Sequence, residues 1–135
     1  MSGLVRRSFI TVLCGMVSLS LIGCGKSPEL LSVTGKPIEF WLEALKTPST
    51  EVKQRLKAVQ ALSNVGSAHP QAIPTLIEAL EQTDSAVRGA AVLALLKIGP
   101  SAKDALPVLE RISESDKETQ IRGFAEKAIK AIRGE

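Results

Sequence analysis

Cys14, Cys24 and His69 are the residues of this chain whose types most readily carry covalent or metal chemistry, and they stand far apart in sequence. Cys24 lies in the stretch LIGCG at 21–25, between two glycines and at the end of an apolar run. A thiol there can be half of a disulfide, a metal ligand, a nucleophile, a core residue or a place to attach lipid. A disulfide would need Cys14, which sits inside the apolar run itself. A zinc site wants four nitrogen or sulfur ligands, or three plus water, and His69 has no second such group near it in sequence. A cysteine nucleophile would need a base, and no base stands at a recognisable spacing. Ser49, Ser63, Ser67 and Ser101 lack one too, and GPSAKD at 99–104 lacks the GK[ST] ending of a phosphate-binding loop. No catalytic, cofactor-binding or metal-binding residue is therefore expected, and the chain is not expected to be an enzyme.

The residues before Cys24 favour the last option. Met1 to Ser8 holds Arg6 and Arg7 and no acid, and Phe9 to Ile22 runs fourteen residues without a charge. That is the pattern of a secretory leader, and it is short of the roughly 20 apolar residues that a permanent membrane span requires. The stretch LIGC resembles the lipobox of bacterial lipoproteins. The resemblance implies cleavage after Gly23 and acyl chains, such as diacylglyceryl and palmitate, on Cys24. Each buried methylene contributes about 0.8 kcal/mol, so two or three chains hold a protein at a bilayer where one binds reversibly.

The expected organisation is a signal peptide at 1–23, a lipidated cysteine and flexible tether at 24–36, and a folded domain at 37–135. The tether GKSPELLSVTGK is small, polar or turn-forming, and at roughly 3.4 Å per residue it would reach up to about 40 Å from the lipid surface. The location this implies is the bacterial cell envelope, outside the cytosol. Gly25 after the cysteine, where aspartate could stand, resembles lipoproteins sent to the outer membrane in some Gram-negative bacteria.

The whole chain carries 17 basic and 14 acidic residues, a formal balance of +3. Without Arg6 and Arg7 the count is 15 against 14, or +1, so part of the basic character belongs to the leader. Nucleic acid is a poor partner for such a chain, because binding it relies on clustered cations. An aromatic content of 3% also leaves little for base stacking.

Beyond the tether the chain repeats itself. RLKAVQALSNVG (55–66) aligns with RGAAVLALLKIG (88–99) at an offset of 33, and RGFAEKAIKAIR (122–133) follows at 34. Three columns hold identical residues: Arg55, Arg88, Arg122; Ala58, Ala91, Ala125; and Ala61, Ala94, Ala128. Two more are aliphatic, namely Leu62, Leu95, Ile129 and Val65, Ile98, Ile132. Their spacing of three and four is that of one helical face, and alanine in two columns lets neighbouring helices approach closely. AIPTLIEAL (72–80) and ALPVLERIS (105–113) also align at 33, with a proline in the first turn of a preceding helix. Each copy reads as a helical hairpin whose second helix ends at a glycine, Gly66 or Gly99.

This pattern, A-[IL]-P-x-L-x-x-[AI] followed by an acid and R-x-x-A-x-x-A-[LI]-x-x-[VI], resembles the HEAT-repeat family, in particular its short bilin-lyase-like (PBS lyase) variety. The resemblance covers residues 37–133 and implies an all-α fold, a short α-α superhelix (solenoid) of three hairpins. The first copy departs from the pattern: IEFWLEAL lacks the proline, the turn KTPST is two residues longer, and Gln54 replaces the aliphatic Val87 and Ile121. Those departures suit an end cap. At the other end, Glu126, Lys127 and Lys130 replace Val92, Leu93 and Leu96, so the middle copy should be sandwiched.

An acid stands four residues before each arginine: Glu51, Asp84 and Glu118. This is the favoured orientation of a helical ion pair, and the pairs are expected to fix turns and repeat stacking. The resemblance further implies that partners dock on the surface formed by the second helices. There the candidate partner-binding face comprises Gln60, Leu93, Leu96, Lys127 and Lys130, an apolar centre with a polar rim. The expected function is an envelope lipoprotein, monomeric apart from its partner, that acts as an interaction or scaffold module. Two alternatives stand beside it: a bilin-lyase-like enzyme acting on a protein-bound chromophore, and a purely structural envelope protein.

Overall fold

The computed structural model of the protein describes residues 35–135. The leader, Cys24 and the tether up to Thr34 lie outside the described residues. Three helical hairpins follow one another: α1 (Ile38–Lys46) with α2 (Val52–Val65), α3 (Ala72–Ala79) with α4 (Ser85–Ile98), and α5 (Leu106–Ser115) with α6 (Thr119–Arg133). The described residues contain no strand. The all-α expectation and its three hairpins are both met.

The columns read from the sequence explain the packing. Ala58, Ala91 and Ala125 are fully buried, and Ala61, Ala94 and Ala128 nearly so, where α2, α4 and α6 stack side by side. Leu62 and Leu95 fill the same layer, and burying each contributes about 1.5–3 kcal/mol. In the last column only Ile132 is buried; Val65 and Ile98 sit at the core's edge. The middle helix α4 packs against both α2 and α6, and each second helix packs on its own first helix.

Local chemistry sets the ends of these elements. Gly66 and Gly99 cap α2 and α4 with φ of +54° and +67°, a region that a Cβ disfavours. Short 3₁₀ turns, Gly66–Ala68 and Gly99–Ala105, then lead toward the next hairpin. Pro74 and Pro107 lie in the first turns of α3 and α5, whose N–H groups have no intrahelical partner in any case.

The turn of the first hairpin is two residues longer than that of the third, 116–118, but no longer than that of the second. Residues 47–51 join α1 to α2 and residues 80–84 join α3 to α4, five in each case. The chain after α3 keeps winding through i→i+3 bonds from Leu80, Glu81 and Gln82, which leaves a shorter open segment there. Gln54 is half-buried where Val87 and Ile121 are buried, and Glu126, Lys127 and Lys130 are exposed, as end-facing positions should be.

The acid–arginine pairs are not formed as expected. Asp84 uses its carboxylate to cap α4, accepting from the N–H groups of Ala86 (3.0 Å) and Val87 (3.2 Å), while Glu51 and Glu118 make no side-chain cap bond. The arginines reach elsewhere. Arg88 donates through Nη1 to the carbonyls of Gln82 (3.0 Å) and Thr83 (2.9 Å), closing the turn of its own hairpin. Its other edge grips Asp116 of the next hairpin with two bonds, Nε to Oδ2 at 2.9 Å and Nη2 to Oδ1 at 3.1 Å. Turn fixing and repeat stacking do fall to the arginine, but its partner lies 28 residues ahead. A bidentate carboxylate and otherwise unpaired carbonyls outcompete a single exposed pair on one helix.

Arg55 occupies the same place with a poorer partner. Its Nη1 donates to Gln82 Oε1 at 2.6 Å, and Gln82 Nε2 donates on to the Leu45 carbonyl at 2.8 Å. An amide offers one oxygen where a carboxylate offers two, and Arg55 Nε is left buried without a hydrogen bond among the described residues. Arg122 donates to the Asp116 carbonyl at 2.7 Å and to Thr119 Oγ1 at 3.0 Å.

Candidate protein-binding face

Helices α2, α4 and α6 present one outward strip each to a common face. On α2 the exposed residues Lys53, Lys57, Gln60 and Asn64 recur at intervals of four, three and four, the spacing of one helical stripe. On α4 the corresponding stripe is Ala86, Ala90, Leu93 and Lys97, and on α6 Lys127 holds the register of Leu93. Leu93 is 42% exposed and is the one large hydrophobic residue exposed among the described residues.

Between α2 and α4 this face sinks into a groove of about 380 Å³. Its floor is Leu56, Val59, Ala90 and Ala94, with Leu93 and Gln60 facing across it. Lys97 closes one end by donating to Asn64 Oδ1 at 2.7 Å, so its ammonium is held at the rim. A second hollow of about 630 Å³ runs along the other flank of α2, past Lys53 and Lys57 to Phe40 and Trp41. Gln60 and Asn64 line both, which makes the α2 stripe a low ridge between two depressions. At the outer end of the second hollow, Lys36 Nζ stands 3.9 Å over the Phe40 ring.

The five residues expected to form the face separate in the structure. Gln60 and Leu93 meet in the groove. Leu96 is half-buried and packs on the core, while Lys127 and Lys130 are exposed on α6. Lys53, Lys57, Asn64 and Lys97 were not among the expected residues although they line the two depressions. The stripe at positions 53, 57, 60 and 64 was a readable signal for most of them.

Charge is divided between the two layers of helices. Helices α2, α4 and α6 carry Lys53, Arg55, Lys57, Arg88, Lys97, Arg122, Lys127, Lys130 and Arg133 against a single acid, Glu126. Helices α1, α3 and α5 carry Glu39, Glu43, Glu78, Glu110 and Glu114 against Lys46 and Arg111. The groove therefore lies on the cationic side of a chain whose overall charge is small. The two perturbed groups belong to the junction between the second and third hairpins. The hydrogen bonds from Arg88 hold the Asp116 carboxyl below the usual carboxylate range against the opposing effect of burial, and the same contact raises Arg88.

No group of three or more His, Cys, Asp or Glu residues able to hold a metal ion occurs among the described residues. No helix among them is long and apolar enough to cross a membrane. A family model described as HEAT repeats matches residues 38–130. Repeats of this kind generally mediate contacts between proteins. Comparisons with curated proteins and with solved structures gave no match.

Proposed function

Because the chain belongs to the HEAT-repeat family, we propose that it is a protein-interaction or scaffold module, held by acyl chains on Cys24 at a membrane of the bacterial envelope outside the cytosol. The observation that carries the interaction half is Leu93, exposed at the edge of a groove with a polar rim. An apolar side chain in such a setting contributes to binding once a partner excludes water from it. The stretch LIGC after a basic start and an apolar run supports the anchoring half. The reading contains no catalytic step.

Two measurements on the protein recovered from its native cells test it. Mass spectrometry of the amino-terminal peptide should find Cys24 as the first residue with added acyl mass, and crosslinking in intact membranes should recover a stoichiometric protein partner. Recovery of an unprocessed, unmodified chain from the soluble cell interior would remove the anchoring half. Efficient crosslinking that recovers no partner would leave a spacing or anchorage role.

A further inference from the structure

We infer that the partner segment seated on the α2–α4 groove is acidic and carries an aliphatic side chain. This rests on the reading of the chain as an interaction module and adds the chemistry of what it binds. The groove has an apolar floor of Leu56, Val59, Ala90 and Ala94, and exposed Leu93 stands beside it. An aliphatic side chain entering there would meet these apolar groups, with Gln60, Ser63, Asn64 and Lys97 around them. Lys97 lines the groove itself, Lys53 and Lys57 line the second hollow just across the α2 ridge, and Lys127 is exposed in the matching position of α6. No ion pair joins these four lysines to an acid among the described residues.

The cationic character of this face is local. The first helices have the opposite balance, Asp84 is drawn into a helix cap and Asp116 into the grip of Arg88, and the acids left on or beside this face are exposed Glu51, in the second hollow with Lys53, and Glu126 on α6. A partner bearing glutamate or aspartate meets more cations than acids on this face, four lysines against Glu51 and Glu126, whereas a basic partner meets like charge at the four lysine positions. Gln60 and Asn64 add donors and acceptors for a peptide backbone or carboxylate lying along the α2 ridge. A planar layer of anionic headgroups would reach the rim lysines but not the recessed Leu56 and Val59. The arrangement therefore favours a peptide segment over a lipid surface.

The test uses the full chain in mild detergent and two fluorescent helical peptides with the same leucine face, one carrying glutamates and the other lysines elsewhere. The acidic peptide should bind and the basic one should not. Binding should weaken about tenfold when salt rises from about 50 to about 300 mM. Lys57→Glu and Lys97→Glu should each weaken it by about tenfold or more, and Leu93→Asp should abolish it. Equal binding of both peptides, or of neither, would overturn the inference. So would binding of the Cys24→Ser chain to phosphatidylglycerol vesicles that is lost in Lys57→Glu and Lys97→Glu, since lipid would then be the occupant.

Photocrosslinking in whole cells from benzoylphenylalanine in place of Leu93 separates this inference from the one beneath it. A crosslinked protein segment that is acidic and aliphatic supports both. A neutral or basic segment overturns the acidic partner and leaves the interaction module standing, and the absence of any crosslinked protein removes both.

Discussion

Arg55, Arg88 and Arg122 stand on the same three helices as Lys53, Lys57, Lys97 and Lys127, yet the two rows of cations end in different surroundings. Each arginine turns toward the connections between helices, where it donates to carbonyls, an amide or a carboxylate. The lysines turn to the open face, where only Lys97 makes a side-chain hydrogen bond among the described residues, to neutral Asn64. A planar guanidinium with five donors suits a junction that must satisfy several acceptors at once, and a hydrated ammonium suits a rim that stays in water until a partner arrives. One row ties down the turns and, at Arg55 and Arg88, the neighbouring repeat. The other is exposed on the open face.

The arginine row is itself uneven, and that unevenness gives the largest predicted effect. Arg88 is 14% exposed and Asp116 5%, with two bonds between them, and Asp116 also accepts from the Glu118 N–H at 2.9 Å. Arg88→Ala would leave that carboxylate without its counter-ion and the Gln82 and Thr83 carbonyls without their arginine donor. We expect a loss of about 2–3 kcal/mol, a large share of the about 5–15 kcal/mol that stabilises an ordinary domain. Urea unfolding followed by circular dichroism measures it. Arg55→Ala removes one charge-assisted bond and a nitrogen that was unpaired already, so the same experiment should show about 1.5 kcal/mol.

Acid sharpens the contrast between the two junctions. The Asp116 carboxyl is held below its unfolded value, so its contribution is fully present above the unfolded pKa of about 3.9 and fades as pH falls through the lower, folded value. In that window the unfolded chain binds more protons, and stability must fall with pH. Asp116→Asn should be less stable at neutral pH and should lose less on acidification, which a series of unfolding curves from pH 7 to about 3 would reveal. Gln82, which holds the corresponding place opposite Arg55, has no titrating group to contribute such a limb.

The smallest effect on stability is expected at the open face. Leu93→Asp should shift the unfolding midpoint by no more than about 0.5 kcal/mol equivalent, because the side chain is already 42% exposed. Binding of the partner should nevertheless be lost. A fall in helical content or melting temperature for this variant would show that Leu93 belongs to the core.

Much of this was legible in the residues. The alanine and leucine columns named the buried faces of α2, α4 and α6, and Gly66 and Gly99 marked helix ends that require positive φ. The arginine column was equally visible, but its partners were not, because an i, i+4 pair is a local inference and the Arg88–Asp116 bond exists only once two hairpins stack. A clue lay six residues before each arginine, where Ser49, Gln82 and Asp116 form a polar column of increasing acceptor strength. The exposure of Leu93 beside half-buried Leu96 depends on how α4 lies between its neighbours, which periodicity alone does not fix. The leader and Cys24 remain a matter of sequence, since they lie outside the described residues.

The division of labour between the two rows of cations is tested most directly by the double variant Lys57→Glu with Lys97→Glu, measuring acidic-peptide affinity and unfolding midpoint on the same sample. The account predicts an affinity lower by about tenfold or more with the midpoint unchanged. An unchanged affinity, or a chain that no longer folds, would contradict it.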